Sequence, residues 1–235
     1  MELPRTYHHG NLKQSLINAA VTLIGEVGPR GFTLREVARR AKVSHNAPYR
    51  HFRDKEDLLA AVGMQGFQRL TRAMKRAAKT GSTPEERLRL CGRGYVGFAL
   101  RWPQHFQVMF DLPSDQDRHA EYAAAGKEAF ATLLNIIIEC QQSGALAEGD
   151  SHNLSFVMWS MVHGIAKLAI SRQLPFKNAD LLEFTDTVSR VLSSALAHIA
   201  LDLEGCSPLQ PQNQSSPKIG YSPRASSRSE SQELY

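Results

Sequence analysis

Thr33-Leu-Arg-Glu-Val-Ala-Arg-Arg-Ala-Lys-Val-Ser44 runs directly into His45-Asn-Ala-Pro-Tyr-Arg-His-Phe52, and then into Arg53-Asp-Lys-Glu-Asp-Leu58. Two short helices with a tight connection are predicted here. Thr33 and Glu36 have the spacing of a capping box, in which hydroxyl and carboxylate each satisfy a free backbone N–H. Ser44 offers a second cap. Val37, Ala38 and Ala41 give the first short helix an apolar face, and Ala41-Lys42-Val43 is the connection that a helix-turn-helix requires. The second helix is small and polar, with His45, Asn46, Arg50 and His51. So little apolar surface suits a helix that faces the major groove, which is wide enough for one.

The charge distribution supports a nucleic-acid surface confined to the front. Residues 1–80 hold 15 Lys+Arg against 6 Asp+Glu, net +9, and residues 81–235 hold 13 against 17, net −4, which makes the +5 of the whole chain. Scattered solvated lysines and arginines do not by themselves produce such asymmetry.

In a helix-turn-helix the N-terminal part of the second helix reads base edges. With Ser44 as cap, His45, Asn46 and Ala47 fill the first turn. Asn46 has the geometry for adenine N6 and N7, His45 for guanine N7 or a phosphate, and the Ala47 methyl for a thymine methyl. Arg50 reaches a base or a phosphate, and His51 belongs to the same polar face. Pro48 removes one helical hydrogen bond and crowds the preceding turn, so a later start or a distorted N-terminal end is expected. Lys55 stands in the first turn of the next helix, where a cation opposes the macrodipole. Either a phosphate binds at this N-terminus, where free N–H groups assist, or Asp54, Glu56 and Asp57 compensate the lysine. Tyr49 gives its hydroxyl to a phosphate or buries it. Phe52 is core, and Thr33 caps its helix with a phosphate within reach.

Tyr49-x-x-Phe52-x-x-Lys55-x-x-Leu58, directly after the turn, resembles the tetracycline-repressor (TetR) family of bacterial transcription regulators, whose N-terminal domain matches from about Gly10 to Leu70. The resemblance implies that Tyr49 and Lys55 hold phosphates and that Phe52 packs the domain core. Trp159-Ser-Met-Val-His163-Gly164 resembles the Trp…His-Gly signature of one ligand-domain subgroup of that family. Family members pair through their last two long helices, here about 150–172 and 178–204. A ligand entering the C-terminal core then shifts the fourth helix and the spacing of two reading heads.

The fold class expected is all-α, with about nine helices and no strand or internal repeat. A three-helix DNA-binding domain at 10–70 carries the turn motif at 33–52. A helical ligand-binding and dimerisation domain follows at 81–205, beyond the break at Thr80-Gly81-Ser82-Thr83-Pro84. Helix 11–26 shows apolar residues at helical spacing and stops at Gly28-Pro29. Later helices run about 54–79, 84–101, 102–111, 117–142, 150–172 and 178–204. The centre of 117–142, Leu133 to Ile138, is apolar on most faces, so a buried central helix is expected. Leu181, Phe184, Val188, Val191, Leu192, Ala195, Ile199 and Leu203 form a stripe on the last helix. From Cys206 to Tyr235, Ser, Pro, Gln and Asn dominate and periodicity vanishes, so a disordered tail is expected.

Aromatic and Met residues gather on the helices of the second domain. Tyr95, Phe98, Trp102, Phe106, Met109 and Phe110 lie on the fifth and sixth, and Met158, Trp159, Met161, Val162 and His163 on the eighth. Each alone reads as packed core; the set, with its flexible thioethers, suits an adaptable apolar pocket for a small-molecule effector. Gly92, Gly94 and Gly97 read as close packing or as mobility at a pocket mouth, and Gly164 as a place where helices approach.

Other chemistry finds little support. The three cysteines, Cys91, Cys140 and Cys206, are odd in number and widely spaced, without metal spacing or disulfide framework. Cys91 and Cys140 read as buried thiols. No nucleophile elbow, phosphate loop or metal triad is present, so no enzyme, cofactor or metal is expected. His8-His9, with Arg5 and Lys13, suits a phosphate-touching arm better than a metal site. No apolar signal region opens the chain, and the most apolar segment, 154–170, contains His163 and Lys167 and falls short of a membrane span. The reading is a cytoplasmic, homodimeric, ligand-responsive regulator, a repressor released from a palindromic double-stranded operator. The alternative is a small-molecule-binding or scaffold protein whose turn motif is structural only.

Overall fold

Local signals set the helix boundaries. The computed structural model of the protein describes residues 9–111 and 118–197, with side chains from Leu12 onward. Its elements are α1 (His9–Val27), α2 (Leu34–Arg40), a 3-10 turn (Pro48–Arg50), α3 (Lys55–Ala78), α4 (Pro84–Arg101), α5 (Pro103–Met109), α6 (Ala120–Gln142), α7 (Ser151–Ile170) and α8 (Asn178–Leu196). No strand occurs among the described residues. The expected arm at Arg5 and His8, the tail from Cys206, and Ile199 and Leu203 lie outside them.

Gly28 stops α1 at a φ of 76°. The capping box at α2 is complete: Glu36 N–H donates to Thr33 Oγ1 at 3.3 Å, and Thr33 N–H donates to Glu36 Oε2 at 2.7 Å. Asp54, Thr83 and Asp150 cap α3, α4 and α7 through their side chains. At the end of α2, Lys42 N–H donates to Arg39 O and Val43 N–H to Ala38 O, the paired bonds of a Schellman motif. Its left-handed residue is usually glycine; here it is Lys42 at φ 56°.

Two cores result. Leu16, Ala20, Ile24, Val37, Phe52, Leu58 and Val62 build the first, around α1, α2 and the start of α3. The second half of α3 packs with α4 to α8 around Leu70, Met74, Leu88, Val96, Ile137, Met158 and Leu181. α3 belongs to both. Its 24 residues, at ~1.5 Å each, give a rod on the order of 36 Å.

Glycine enables two close helix approaches. A Cβ on Gly66 would lie 2.5 Å from Met109 Sδ of α5. A Cβ on Gly94 would lie 2.9 Å from the Ala73 carbonyl oxygen of α3 and 3.1 Å from Ala77 Cβ. In Gly94→Ala the helix-propensity gain of ~1 kcal/mol opposes a clash with backbone, which cannot rotate aside. Overpacking wins, and we expect a net loss of ~1–3 kcal/mol, read as a lowered Tm by circular dichroism. By contrast nothing lies within 4 Å of a Cβ on Gly164, so the approach expected there is not made within the protomer. Gly97 meets only Leu182, at 4.0 Å.

Two expectations about faces are corrected. α6 is amphipathic rather than buried all round: Ile136, Ile137 and Cys140 are buried while Asn135 and Glu139 are exposed. On α8 the expected apolar stripe is not the core face. Of its described members only Leu181 is buried, and the side turned inward is Thr185, Asp186, Ser189, Ser193 and Leu196. The reason is Asp186, whose carboxylate pairs with Arg89 and Arg93 of α4 at 3.1 and 2.6 Å. With that carboxylate drawn inward, Val191 (67% exposed) and Ala195 face outside, while Phe184, Val188 and Leu192 are half-buried at the edge of the second core.

Candidate nucleic-acid interface and ligand cavity

The predicted second helix of the turn motif is not an α-helix. Ala47 N–H donates to Ser44 O at 2.9 Å, closing a turn, and only Pro48–Arg50 is helical, in the 3-10 form. Ser44 therefore does not cap an α-helix. Pro48 supplies the cause: lacking an N–H, it fits the first position of a short helix and no later one. Ala47 is corrected as a base-reading residue, because it is 7% exposed and its methyl is turned inward. Ser44, His45, Asn46, Tyr49, Arg50 and His51 are all exposed and share this short segment. Tyr49, 52% exposed, leaves its hydroxyl outward, while Phe52 is buried in the first core.

Thr33 and Lys55 are engaged within the chain. Thr33 Oγ1 serves the capping box. Lys55 Nζ donates to the carbonyls of Arg30 at 3.0 Å and Phe32 at 2.9 Å, and sits 4.6 Å from the centre of the Phe32 ring. Burial lowers its pKa. Within the chain two carbonyls and a ring hold the cation. An ammonium has three donors, so one is not used by these carbonyls.

Behind the turn, the acidic start of α3 meets the start of α6. The Arg118 guanidinium bonds Asp54, Glu56 at 3.2 Å and Asp57 at 3.2 Å. His119 Nε2 lies 3.5 Å from Glu56. Asp57 is also bonded by Arg53, and these hydrogen bonds, Arg53's foremost, hold its pKa down at about 2. Sequence reading missed this cluster; Arg118 is 61 to 64 residues from its partners, beyond any local pattern.

A cavity of about 390 Å³ opens in the second core. Of the residues expected around a ligand, Tyr95, Phe110, Met158, Trp159 and Val162 line it. Phe98, Phe106 and Met109 are buried in the core without lining it. Met161 is half-buried on α7. Trp102 lies under the Arg69 guanidinium, 4.1 Å away, and edge-on to His105. His163 stands behind the wall: its Nδ1 pairs with Tyr95 Oη at 2.9 Å, and Trp159 Nε1 donates to the same oxygen at 3.2 Å. Burial lowers the pKa of His163 and raises that of Tyr95.

The other lining residues were not foreseen: Phe67, Leu70 and Met74 of α3, Leu88, Cys91 and Gly92 of α4, Gly126, Lys127, Ala129, Phe130 and Leu133 of α6, Phe156 of α7 and Ser189 of α8. Gly92 was the one signal in reach. α3 thus lines the cavity at one end and begins beside the exposed turn at the other.

Cys91 and Cys140 are buried as expected, and burial pushes their thiols up to about 12 and about 11. No group of three metal-ligating side chains exists among the described residues. α7 is long and apolar enough to cross a bilayer by length and composition, yet Leu154, Met158, Val162 and Ala166 are buried in the second core, the pattern of a core helix.

Two family models match the chain: "Bacterial regulatory proteins, tetR family" over residues 16–62 and "Tetracyclin repressor-like, C-terminal domain" over 88–192. An HTH-type transcriptional repressor of Mycobacterium tuberculosis is 37% identical over 60 residues, 26% of this chain and 32% of that protein. BetI of Yersinia pestis, an HTH-type transcriptional regulator, is 34% identical over 84 residues, 35% of this chain and 42% of its own length. The chain thus spans less than half the length of these curated relatives. A solved structure of a Rhodococcus sp. RHA1 protein of unknown function has a TM-score of 0.72 and 32% identity, covering 83% of this chain and 100% of that one. The Bacillus subtilis regulator FadR, solved with stearoyl-CoA, has a TM-score of 0.66 at 21% identity, covering 77% of this chain and 97% of that one. With one family model on the turn motif, another on the cavity-bearing helices, and the same fold in these neighbours, the chain belongs to the TetR family of bacterial regulatory proteins.

Proposed function

We propose that the chain is a cytoplasmic DNA-binding transcription regulator, a repressor that leaves its operator when an apolar small molecule enters the cavity. The observation that carries this reading is α3, one continuous helix that starts beside the exposed turn and lines the cavity with Phe67, Leu70 and Met74. The DNA-binding domain is residues 10–70, and the ligand-binding and dimerisation domain 81–205. His45, Asn46 and Arg50 face base edges; Tyr49, His51 and the remaining Lys55 donor meet phosphates. The stearoyl-CoA held by Bacillus subtilis FadR is consistent with an apolar effector in this fold.

The active form is a homodimer through α7 and α8. Its support is the partly exposed apolar side of α8, with Val191 and Ala195 exposed beside half-buried Val188 and Leu192, continued on α7 by half-buried Val157, Met161 and Gly164 and exposed Leu168. Gly164, with open space beside it, admits a second copy closely. Two turns then address half-sites about 34–36 Å apart on a near-palindromic operator.

Positioning and reading are separable. Asn46→Ala is expected to cost ~1–3 kcal/mol on the preferred operator and far less on scrambled DNA. Lys55→Ala weakens both duplexes alike and lowers the salt slope by about one per subunit. Binding isotherms on both duplexes at several salt concentrations check this. Equal weakening by Asn46→Ala would remove Asn46 from the reading set; unaffected DNA binding in both variants would favour a turn that is structural only.

A further inference from the structure

The cavity has one polar group with nothing to do. Ser189 of α8 is 1% exposed, lines the cavity, and its Oγ has no hydrogen-bond partner. The other buried hydroxyl on the wall, Tyr95 Oη, already accepts from Trp159 and pairs with His163. A buried hydroxyl without a partner forfeits the bonds it had in water, a loss that something must offset. Thr185, one turn earlier on the same helix, avoids this by donating to Leu181 O at 2.8 Å; Ser189 does not make the equivalent bond.

Gly92 stands opposite. A Cβ at Gly92 would lie 3.5 Å from Ser189 Oγ and 3.2 Å from Val162 Cγ1, so glycine leaves no side chain packed on that side of the hydroxyl. The rest of the wall is mostly apolar, its other polar groups being the protonated Cys91 thiol, the paired Tyr95 and Trp159, and Lys127. The one charged residue lining it, Lys127, is exposed. The Arg89 and Arg93 guanidiniums are committed to Asp186 and line no part of it. Away from exposed Lys127, an anion buried against this wall would have no charge partner, and desolvating it unpaired is far costlier than desolvating a neutral group.

We propose that the cavity's ligand is an uncharged, largely apolar molecule carrying one hydroxyl or carbonyl, which meets Ser189 beside Gly92. This deepens, and rests on, the reading of the cavity as a ligand site. A serine hydroxyl both donates and accepts, so either group satisfies it. The contact also lies on α8, the proposed dimer helix, so the ligand bridges α4 and α8.

Three probes of matched tail separate the possibilities: para-butylphenol, butylbenzene and para-butylbenzoate, titrated calorimetrically into the full chain near neutral pH. Ser189→Ala should lower the affinity ratio of the phenol to butylbenzene by roughly tenfold, the scale of one buried hydrogen bond, and should leave the Tm of the ligand-free protein no lower. Gly92→Ala, which keeps the hydroxyl and covers it, should lower the same ratio. The benzoate should bind weakest. An unchanged ratio in both variants, tightest binding by the benzoate, or a Tm that drops in Ser189→Ala would each overturn the inference while leaving the cavity a ligand site. Failure of all three probes to bind would overturn both.

Discussion

Val191→Glu is expected to give a folded chain that sediments at its single mass of 26.1 kDa and binds operator at least about a hundredfold more weakly. Val191 is 67% exposed, so the protomer should change by no more than ~0.5 kcal/mol. In the dimer the same position would bury two carboxylates on facing stripes, unpaired and of like sign, which costs several kcal/mol. The monomer has one reading head. Linking two heads raises affinity by ~10²–10⁴ without any new contact, and that factor disappears. Sedimentation equilibrium paired with operator binding checks both halves. A variant that stays dimeric would show that α8's outward stripe is not the interface.

Arg118→Ala is expected to break the response to effector more than the binding of DNA. Arg118 ties Asp54, the cap of α3, and Glu56 and Asp57 of its first turn to the start of α6, and α6 lines the cavity through Gly126, Ala129, Phe130 and Leu133. A ligand that displaced α6 would therefore pull on the helix that begins beside the exposed turn. The three acids tolerate the loss, since carboxylates at a helix N-terminus are favoured by the macrodipole and Asp57 keeps Arg53. Coupling between sites in such proteins is ~5–150-fold in affinity, and in Arg118→Ala it should fall towards one. Operator dissociation constants with and without a saturating cavity ligand measure it. Full release by the ligand in the variant would place the coupling elsewhere, along α3 itself.

Helix order and most boundaries were legible because they are written locally; of the nine helices expected, eight α-helices form among the described residues, the second helix of the turn motif being a 3-10 turn. Thr33 and Glu36 carry a capping box within four residues, and Gly28, Thr83-Pro84 and Asp150 mark ends in the same way. Pro48 announced a distortion but not its extent; whether one turn or the whole helix is lost depends on how Ala47 and Pro48 bury, which is tertiary. The α8 stripe had correct periodicity and the wrong partner. Apolar spacing says which residues share a face, and only the Asp186–Arg89–Arg93 cluster says which face turns inward. The ligand residues split for a similar reason. The aromatic run from Tyr95 to Phe110 drew the eye, yet half of it is core, while Phe67, Phe130 and Ser189 reach the cavity from three helices with no shared motif. Lys55 looked misplaced in sequence because the Arg30 and Phe32 carbonyls that hold it are more than 20 residues away.

Selection of bound duplexes from a random DNA pool by the full chain tests the central claim most directly. The account predicts enrichment of an inverted repeat whose half-site centres lie about one helical turn, or a small multiple of it, apart. Binding to it should fall steeply with salt, and the enrichment should be lost in a chain carrying Asn46→Ala and Arg50→Ala together. A pool that stays random after repeated rounds at low salt, with the chain folded and dimeric, would contradict a DNA-reading role for residues 44–51.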